Sequence, residues 1–594
     1  MILQHFIFPR EDICTENDLY IKEEKGAFQV EQDGIALNEK GIYSFFTYFN
    51  SFSLGKWMHY TDISDLTFYA KMTGSGKVRL RQAVLREQQV VHRELGCEKY
   101  SAVAGWEVRL SVPAEVTEGI LYVEVDTEEH SCMQDARFET DTSQNRQVSI
   151  AVGICTFRRE EYVRRTLQNL RDAFFDQADS ELYDRLQVYV SDNGNTLPCE
   201  EISDTHIYCF PNKNAGGASG FARAMLEALK EQDRRQYTHF LFMDDDITIE
   251  PEVFYRTYCL LSLLSENYAH AAIGGALLRK DLPQIQHASG EIWATDKVSF
   301  TKRGYDLSRE KDLLANEEIV PVDYNGWWYY CTPFSEETAQ DLPLPFFIHM
   351  DDIEYGLRFA GDIIYCNGIG VWHDAFDHRK SSGMEYYDMR NLLIMNALRR
   401  PAYTWKQARK RVWKHLIFQR LKYRYQDAEL TIRGVADYCK GISFLKTQDP
   451  VALHQDIMKQ GYGWIDQTER LNRIEPAWKE KEKVDRVMQQ SKGRNGRQLL
   501  SLNGWLLPAK RTEQAVPMGA SIGALYRVKH VLYYDPETGK GFQTERKYKE
   551  LFLLLRDMYY VSRLLRKHYD KVAKEYRDRE QEITNREFWE KYLS

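Results

Sequence analysis

The chain has 594 residues, of which 43% are hydrophobic and 28% are charged, and this composition excludes a disordered, collagenous or disulfide-scaffold protein. At roughly 100–200 residues per domain, the length predicts about three to five structural units. Lysine and arginine total 79 against 88 aspartates and glutamates, and the resulting net charge of −9 argues against a general affinity for nucleic acid.

Cysteine spacing and apolar runs bear on the compartment. The 10 cysteines include no CxxC pair, so they predict neither a zinc knuckle nor a disulfide framework, and reduced, mostly buried thiols are expected. The first residues lack a charged segment followed by a long apolar stretch, and no later segment approaches the ~18 uninterrupted apolar residues of a membrane span. We therefore expect a cytoplasmic chain without a membrane-spanning helix.

Residues 1–147 have the pattern of a β domain. Short β-type segments alternate with polar turns at intervals of about 8–15 residues, and no long helical period is present. This spacing is typical of a β-sandwich, jelly-roll or barrel, architectures that often carry a binding function.

From residue 148 to about 380 the pattern changes to alternating strands and helices. Apolar runs that read as buried strands end in Asp192-Asn-Gly and in three consecutive aspartates, and a glycine-rich turn that opens at Asn214 precedes a helix. This alternation predicts a doubly wound, Rossmann-like α/β domain. Residues 381–594 then predict a helical domain of charged amphipathic segments, with a loop-rich interruption near 490–545 where turn residues concentrate.

Asp244, Asp245 and Asp246 directly follow a buried strand. An open α/β sheet binds ligands outside the carboxyl ends of its strands. Adjacent carboxylates repel one another unless a cation neutralises them, and oxygen ligands suit Mg²⁺ or Mn²⁺. The pattern therefore predicts a divalent metal site, with helix capping as the structural alternative.

Further polar residues follow other predicted strands and turns. Asp192 can bind a nucleoside or simply form an Asp-Asn-Gly turn, and the glycines after Asn214 let the backbone approach a ligand at a helix start. His373 can complete a metal site beside carboxylates, although a lone histidine is more often structural. Tyr387 and Arg390 offer a phenol and a guanidinium that suit a diphosphate.

Two acidic residues and two tryptophans suggest an acceptor site. Asp351 and Asp352 enter a helix, where one can act as a general base while the other binds a substrate hydroxyl, and capping is again the alternative. Trp327 and Trp328 can form a sugar platform or belong to the core, which is the default for such residues.

The order of these motifs is more specific than any one of them. CTFRR, SDNG, NAGGASGF, MDDD, WW, MDD, WH and YY with RN resemble the motifs of inverting family 2 glycosyltransferases with the GT-A fold. More narrowly, the chain resembles the polymerising galactofuranosyltransferases of cell-wall galactan synthesis, also in its β domain in front and helices behind. The resemblance implies a metal-dependent transfer of galactofuranose from UDP-galactofuranose to a hydroxyl of a lipid-linked glycan.

The same resemblance implies individual roles. Asp244, Asp246 and His373 would hold Mn²⁺ or Mg²⁺, and Asp352 would act as the base on the acceptor hydroxyl. The acceptor and sugar contacts would be Asp351, Trp327 and Trp328. The donor contacts implied by the resemblance would be Arg158 or Arg159, Asp192 and Asn214. Asp245, Tyr387 and Arg390 are further candidate donor contacts. His349-Met350 stands where that family has Lys-Trp, so the identity of the acceptor stays open.

Two other functions fit the same residues. A related family 2 transferase with a pyranose or rhamnose nucleotide-sugar donor would have nearly the same catalytic groups. A non-catalytic glycan-binding or assembly protein could keep the GT-A shell, but every motif aspartate is present, which favours an enzyme.

A basic stretch suggests a membrane surface as a partner. Between Arg400 and Arg424 there are nine lysines or arginines and no acidic residue, interleaved with aromatic residues. Such a stretch can rest on anionic headgroups, or it can be a solvated helical face or a surface that faces a diphosphate. We expect peripheral association with the inner face of the cell membrane, and the sequence leaves homo-oligomer formation open.

Overall fold

The computed structural model describes residues 1–31, 34–38, 40–358, 361–374, 382–480, 483–484, 486–487 and 496–594. Over these ranges the chain has three parts: a β domain, an α/β domain and a mainly helical region. None of the helices in the described ranges combines the length and the apolar character needed to cross a bilayer.

The N-terminal part is a nine-stranded antiparallel sheet with a single helix of more than one turn. Its strands are β1 (Ile2–His5), β2 (Lys22–Lys25), β3 (Phe28–Glu31), β4 (Gly34–Leu37), β5 (Ile42–Ser44), β6 (Thr67–Arg86), β7 (Gln89–Ser111), β8 (Ile120–Thr127) and β9 (Ser131–Glu139), and its helices are α1 (Leu54–Tyr60) and a 3-10 turn, Asn17–Leu19. This confirms the predicted β domain.

The long strand β6 divides this sheet into two arms. Its first half pairs with β9 and its second half with β8, and the strand changes partner near Gly74, which has a φ of 89° that favours glycine. Side chains of both arms, such as Phe68 and Leu80, pack into one core. The arms therefore fold towards each other.

The central part is a seven-stranded sheet of order β12-β11-β10-β13-β20-β15-β21 and a four-stranded sheet of order β14-β22-β16-β17. Its strands are β10 (Ile150–Thr156), β11 (Leu186–Asp192), β12 (Ile207–Pro211), β13 (His239–Asp244), β14 (Thr248–Ile249), β15 (Ala272–Gly274), β16 (Ala276–Arg279), β17 (Gln286–Ala288), β18 (Glu291–Trp293), β19 (Val298–Phe300), β20 (Tyr330–Pro333), β21 (Ile363–Ile364) and β22 (Gly370–His373). Its helices are α2 (Glu160–Leu170), which a π-helical turn (Arg171–Phe175) extends, α3 (Cys199–Ile202), α4 (Gly217–Lys230), α5 (Gln232–Arg235), α6 (Glu252–Leu263), α7 (Glu310–Ala315) and α8 (Asp351–Arg358), with 3-10 turns Glu266–Tyr268 and Glu336–Gln340.

Strand β10 lies parallel to both β11 and β13 and is covered on both faces. Ala151 packs with α4 residues, whereas Val152 and Ile154 pack with residues of α2 and α6. Thr156 pairs with Asp192, and Cys155 pairs with Asp244, so the carboxyl ends of the three strands share one edge. The predicted doubly wound domain is confirmed, and its polar strand ends lie together.

The β domain packs directly on the central domain. The Tyr20 hydroxyl donates a hydrogen bond to Glu250 over 2.6 Å, and Arg256 donates one to the His5 carbonyl over 2.9 Å. Apolar side chains from both domains belong to one continuous core. The two domains are therefore expected to depend on each other for stability.

The C-terminal part is mainly helical and ends with a long helix. Its helices are α9 (Met384–Arg399), α10 (Trp405–Leu421), α11 (Tyr425–Tyr438), α12 (Ile442–Thr447), α13 (Pro450–Gln460), α14 (Thr468–Ile474), α15 (Gly496–Leu500), α16 (Lys549–Arg579) and α17 (Arg586–Leu593), with 3-10 turns Ile522–Leu525 and Glu580–Ile583. Its strands are β23 (Ile465–Asp466), β24 (Arg511–Pro517), β25 (Val528–Tyr534) and β26 (Lys540–Glu545).

Two predictions need correction here. Residues 490–495 of the predicted loop-rich segment lie outside the described ranges. The rest of it, 496–545, is not loop-rich throughout, because β24, β25 and β26 form a sheet whose Val516, Val531 and Tyr533 pack around Trp505. Reduced thiols were expected, but Cys199 and Cys209 form a disulfide, since α3 packs beside β12 and brings their Cα atoms to 4.8 Å. The other eight cysteines are free, and only one of them is exposed.

Candidate functional site

Asp244, Asp246 and His373 form a cluster whose ligand atoms all lie within 4.8 Å of one another. Asp244 ends β13, Asp246 follows in the turn to β14, and His373 ends β22. Because Thr248 of β14 pairs with Trp372 of β22, the two strands bring the histidine against the second aspartate. Two carboxylates and an imidazole are a suitable ligand set for a divalent cation.

The histidine of this cluster is oriented by a backbone group. His373 Nδ1 lies 2.6 Å from the Asp374 carbonyl oxygen, to which it can only donate, and Nε2 lies 3.1 Å from Asp246 Oδ1. With Nδ1 occupied as a donor, Nε2 is the nitrogen directed into the cluster. A metal-binding histidine commonly has this arrangement, in which the second ring nitrogen is held by an outer partner.

Burial and mutual repulsion set the charges of the cluster. Burial raises the pKa of Asp244 to about 7, and the charge of Asp246 adds to this shift. Burial also acts to raise the pKa of Asp246, but the hydrogen bond and charge of His373 outweigh it and lower that pKa. Burial acts to lower the pKa of His373, and its contacts with Asp246 outweigh that and raise it. A cation at this point would favour ionisation of both carboxyl groups.

Arg158 and Arg159, the two candidates for the donor-binding arginine, lie in different places. Arg159 Nη1 lies 2.8 Å from Asp245 Oδ1 and 2.6 Å from Asp246 Oδ2, so this arginine contacts the aspartate triple. Arg158 is exposed and adopts a left-handed backbone with φ of 57°, and its amide lies next to Gly194. Only Arg159 has a side-chain contact with the cluster within the described ranges.

The two residues predicted to contact the nucleotide, Asp192 and Asn214, differ in whether their side chains are free to bind a ligand. Asp192 is fully buried, and its carboxylate accepts hydrogen bonds from the amides of Gly194, Thr196 and Leu197 over 2.7–2.8 Å, which is the turn-forming alternative. Asn214 is partly exposed, and its side chain has no hydrogen bond to a described residue. Asn214 is therefore the freer of the two for a ligand.

The glycine-rich turn is held by an asparagine that the sequence analysis missed. Asn193 donates to the Gly216 carbonyl over 3.0 Å and accepts from Asn212 over 2.8 Å. Gly216 has a φ of 96°, and a side chain there would collide with Phe347. The turn is thus fixed closely against the segment that leads to the acidic pair. Asn193 stood in the Asp-Asn-Gly motif, but its type alone gave no sign of this role.

The acidic pair begins α8, and both residues are partly buried. A Cβ atom built on Gly217 would lie 3.3 Å from Asp351 Oδ2, so Asp351 faces the glycine-rich turn. Burial, together with the charge of Asp351, raises the pKa of Asp352 to about 7. Among the smaller causes of the raised pKa of Asp244 is the charge of Asp352, which places the pair beside the metal-type cluster. A carboxylate with a pKa near 7 is suited to act as a general base.

Glu291 is a further carboxyl group that the sequence analysis did not identify. It is 1% exposed, and neither carboxylate oxygen makes a hydrogen bond of normal geometry to a described residue, although the Gly326 backbone amide is near enough to favour its ionised form. Burial raises its pKa well above the usual range, and the charge of Asp352 contributes. A buried carboxyl group without a normal hydrogen bond is a candidate functional group. A lone glutamate after a Ser-Gly turn carries no sequence signal of this kind.

The tryptophan pair lies mostly in the core. Trp327 is 5% exposed and stacks on Phe242 of β13 with ring centroids 4.7 Å apart. Trp328 donates its indole N–H to the Gly275 carbonyl over 2.9 Å. Both side chains therefore belong mainly to the protein core. The indole N–H of Trp327 has no hydrogen-bond partner among the described residues.

Tyr387 and Arg390 are buried in α9, and their described contacts are with other protein groups. Arg390 donates to Asn391 and lies over the rings of Tyr386 and Tyr387. Tyr387 stacks with Phe347, whose carbonyl accepts a hydrogen bond from the Gly217 amide over 3.0 Å. Neither residue contacts the aspartate cluster in the described ranges, so they support the segment beside it.

The residues before the acidic pair have an unusual backbone. His349 and Met350 have φ values of 64° and 68°, in the left-handed region that non-glycine residues rarely adopt. Asn391 donates to the carbonyls of Ile348 and His349, and His349 Nδ1 lies 2.6 Å from Asp388 Oδ1. Such strain often marks a functional site.

Comparisons with known proteins agree with this layout. Residues 3–141 match the family model for the galactofuranosyltransferase 2 N-terminal domain, and residues 151–304 match that for glycosyl transferase family 2. Galactofuranosyltransferase GlfT2 of Mycobacterium tuberculosis is 27% identical over 427 residues, which cover 67% of this chain and 65% of the relative. GlfT2 of Mycolicibacterium smegmatis is 28% identical over 436 residues, with the same coverage.

The chain thus matches about two thirds, 65%, of the length of these curated relatives. A solved structure described as a mycobacterial protein is 13% identical and covers 42% of this chain and 74% of its own, with a TM-score of 0.25. Likeness at that level carries no argument about function.

Proposed function

We propose that this chain, which contains a family 2 glycosyltransferase domain with the GT-A fold behind an N-terminal domain of the galactofuranosyltransferase 2 type, transfers galactofuranose from UDP-galactofuranose to a hydroxyl group of a glycan. The observation that carries the proposal is the placement of Asp352 beside the cluster of Asp244, Asp246 and His373. The choice of galactofuranose as the transferred sugar follows the two relatives, which are named galactofuranosyltransferases.

Asp244, Asp246 and His373 would hold the divalent cation, with Mn²⁺ or Mg²⁺ as the proposed metal. When bound, this ion supplies positive charge that offsets the charge developing on the departing UDP. Arg159 favours the ionised forms of Asp245 and Asp246 and orients both carboxylates through its two contacts of 2.8 and 2.6 Å. The guanidinium also adds a fixed positive charge next to the donor diphosphate.

Asp352 is the proposed catalytic base. It takes the proton from the attacking hydroxyl in a single displacement that inverts the anomeric centre. Partial burial and the charge of Asp351 raise its pKa to about 7, which gives it basicity matched to neutral pH. Asp351 faces the glycine-rich turn and would bind a sugar hydroxyl there.

The remaining site residues have proposed supporting roles. Asn214 offers an uncommitted amide to the nucleotide, and Asp192 shapes the turn next to it. Trp327 and Trp328 form one wall of the sugar site. Tyr387 and Arg390 hold α9 against the segment that precedes Asp351, so they would act on the donor site through the protein.

The acceptor and its location are also proposals. A lipid-linked glycan at the inner face of the cell membrane would be reached by a cytoplasmic protein that associates peripherally. The basic stretch between Arg400 and Arg424 supports such an association. A homo-oligomer fits the same proposal.

A UDP-release assay over a panel of nucleotide sugars, with Mn²⁺ and with EDTA, tests the proposal. Metal-dependent release from UDP-galactofuranose, lost in Asp352→Asn, is the expected result. Preference for UDP-galactose or dTDP-rhamnose would retain the mechanism and overturn the donor sugar. Failure to bind any donor in a calorimetric titration would favour a non-catalytic glycan-binding protein.

A further inference from the structure

We propose that α10 carries a binding site for one membrane lipid with an anionic phosphate headgroup, within a face of α10 and α16 that docks on the bilayer. The site consists of a cationic pocket and an adjoining apolar cleft. The proposal deepens the membrane association proposed above and does not depend on the transfer reaction.

The cationic pocket has a volume of about 200 Å³ and is lined by Arg411, Lys414, Lys422 and Arg424, with Glu385 as its single acidic residue. Arg424 is 3% exposed, and its Nη2 atom makes no hydrogen bond to a residue that the structure describes. That atom lies 3.6 Å from Glu385, which also accepts a hydrogen bond from His415.

Among the described residues, the charges of this pocket are unbalanced. Arg411, Lys414 and Arg424 face the carboxylates of Glu385 and of Asp427, which pairs with Arg424 from outside the pocket. A buried guanidinium with an unused donor is unfavourable unless a partner satisfies it. A phosphate group, with several acceptor oxygens and a negative charge, is such a partner.

The apolar cleft adjoins this pocket. It has a volume of about 420 Å³, with Trp413 and Ile417 of α10 on one side and Leu502 and Ile522 on the other. Lys414 and Phe418 line both the cleft and the cationic pocket. A ligand that fills both has a phosphate at one end and hydrocarbon at the other, which is the chemistry of a phospholipid or a lipid diphosphate.

The surface around the cleft exposes large apolar side chains. Leu506 is 63% exposed, and Phe552, Leu555 and Tyr559 are 76%, 66% and 70% exposed. The last three have the spacing i, i+3 and i+7, so they share one face of α16. Trp413 donates to the Met558 carbonyl over 3.1 Å, which fixes α16 beside α10. Exposed apolar patches of this kind mark interaction surfaces.

The charge of this face favours an anionic bilayer as its occupant. Lys406, Lys410 and Lys414 are exposed, and none forms an ion pair with a residue of the described ranges. In the first turns of α16, Glu550 and Asp557 are turned inward and pair with Arg420, whereas Asp570, Glu575 and Asp578 lie in its later turns. A second copy that docked through the same face would bring like charges together, whereas anionic headgroups would neutralise them.

The pocket also lies close to the candidate active site along α9. Asp388, which contacts His349, lies three residues after Glu385 in α9. Three residues correspond to a rise of about 4.5 Å along a helix axis. A lipid phosphate bound by the cationic side chains of the pocket, beside Glu385, would thus be about one helical turn from the segment that carries Asp351. This arrangement would present a lipid-linked glycan to the proposed base.

The experiment is a flotation assay of the full chain with phosphatidylcholine vesicles, with and without phosphatidylglycerol, and without any sugar donor. Arg411→Ala with Lys414→Ala should lower partition onto the anionic vesicles about 25-fold, since each basic residue contributes about fivefold near such a surface. Phe552→Ser with Leu555→Ser should lower partition onto both kinds of vesicle by about tenfold or more. Matched controls are Lys297→Ala with Lys311→Ala, and Ile319→Ser, which are exposed residues elsewhere on the chain.

Each outcome decides the proposal. Variants of α10 that bind like the unsubstituted protein would overturn the lipid site while membrane association stands. If the unsubstituted protein binds no vesicle, membrane association itself fails, although UDP release can still succeed. Release from vesicles by soluble glycerol phosphate would indicate an anion pocket without a lipid. A change in oligomeric state without a change in flotation would assign the face to a second copy.

Discussion

His373 Nε2 lies 3.1 Å from Asp246 Oδ1, although the two residues are 127 positions apart in the chain. The contact exists because β22 pairs with β14, the strand that follows the aspartate triple. The same imidazole donates its other N–H to the Asp374 carbonyl. The ring is therefore oriented before any ligand arrives.

Replacing this histidine tests the metal site. His373→Ala removes one of three ligands and the partner of Asp246, so Mn²⁺ affinity should fall about 10–100-fold or more. Titration calorimetry with Mn²⁺ alone measures this without the reaction. His287→Ala is a control because His287 is buried at the neighbouring strand β17. Equal Mn²⁺ affinity in His373→Ala and the unsubstituted protein would contradict the assignment.

Replacing the proposed base should separate chemistry from binding. Asp352→Asn keeps the size of the side chain and removes its basicity, so the acceptor-dependent rate should fall by about 10²–10⁴-fold while donor binding stays. Initial rates at saturating donor and calorimetry of the same samples provide the two readouts. An equal loss of donor affinity would instead indicate a structural role at the helix start.

The pH dependence of the rate has a defined sign. Asp352 must be ionised to accept a proton, and its pKa is about 7, so kcat/KM for the acceptor should fall about tenfold per pH unit on the acidic side of this limb. A bound cation adds positive charge nearby and shifts the limb downwards, to below pH 7. Rates measured with Mn²⁺ from pH 5 to 9 in steps of about half a unit check this. A flat profile over that range would exclude a carboxylate base with a raised pKa.

The stability of the folded protein, unlike the reaction rate, should fall as the pH rises. The folded pKa of Asp352, about 7, and that of Asp244, also about 7, lie above the ordinary value of 3.8. The folded state therefore binds more protons, and the stabilisation present below pH 4 is lost as pH rises through about 7. In EDTA, thermal unfolding should show a falling Tm over this interval. Asp352→Asn should reduce the slope, whereas Asp341→Asn, at a surface 3-10 turn, should not.

The strand ends were predictable, but their convergence was not. Apolar runs that end in aspartate identify the carboxyl edge of a parallel sheet, so Asp192 and Asp244 were expected at one edge and are found there. The approach of His373 depends on a long-range strand pair that no local pattern encodes. Glu291 was missed for a related reason, because its burial beside Asp352 arises only from tertiary packing.

The placement of other side chains also depends on packing that residue type does not encode. Arg390 and Tyr387 have the chemistry of diphosphate ligands, but packing places them inside the helical region. The strands near 511–545 were hidden by their turn residues, since a hairpin in a small sheet concentrates Asp, Pro and Gly at its tip. The disulfide between Cys199 and Cys209 could not be inferred from spacing.

Glu291 offers a test of the acceptor side of the site. Glu291→Gln keeps the shape and removes the acidic group, so we expect a fall of about 10–100-fold in kcat/KM for the acceptor with no change in donor affinity. Gln has the hydrogen-bonding capacity to remain buried, so the protein should fold as before. Glu318→Gln, a residue outside the cluster, is the control. Unchanged acceptor kinetics in Glu291→Gln would show that this buried carboxyl group has no part in the reaction.

The ion pairs of Arg420 should hold α10 to α16. Arg420 is 1% exposed and pairs with Glu550 and Asp557 of α16. Removing one partner of a buried ion pair costs about 3–5 kcal/mol because the remaining charges stay buried without compensation. Arg420→Ala should therefore lower the free energy of unfolding by about that amount, measured by urea denaturation.

The control is Arg409, a half-buried arginine that stacks on Trp405 and Trp413. Arg409→Ala should lower the free energy of unfolding by about 1 kcal/mol. Equal effects of the two substitutions would show that the buried network contributes no more than a surface contact.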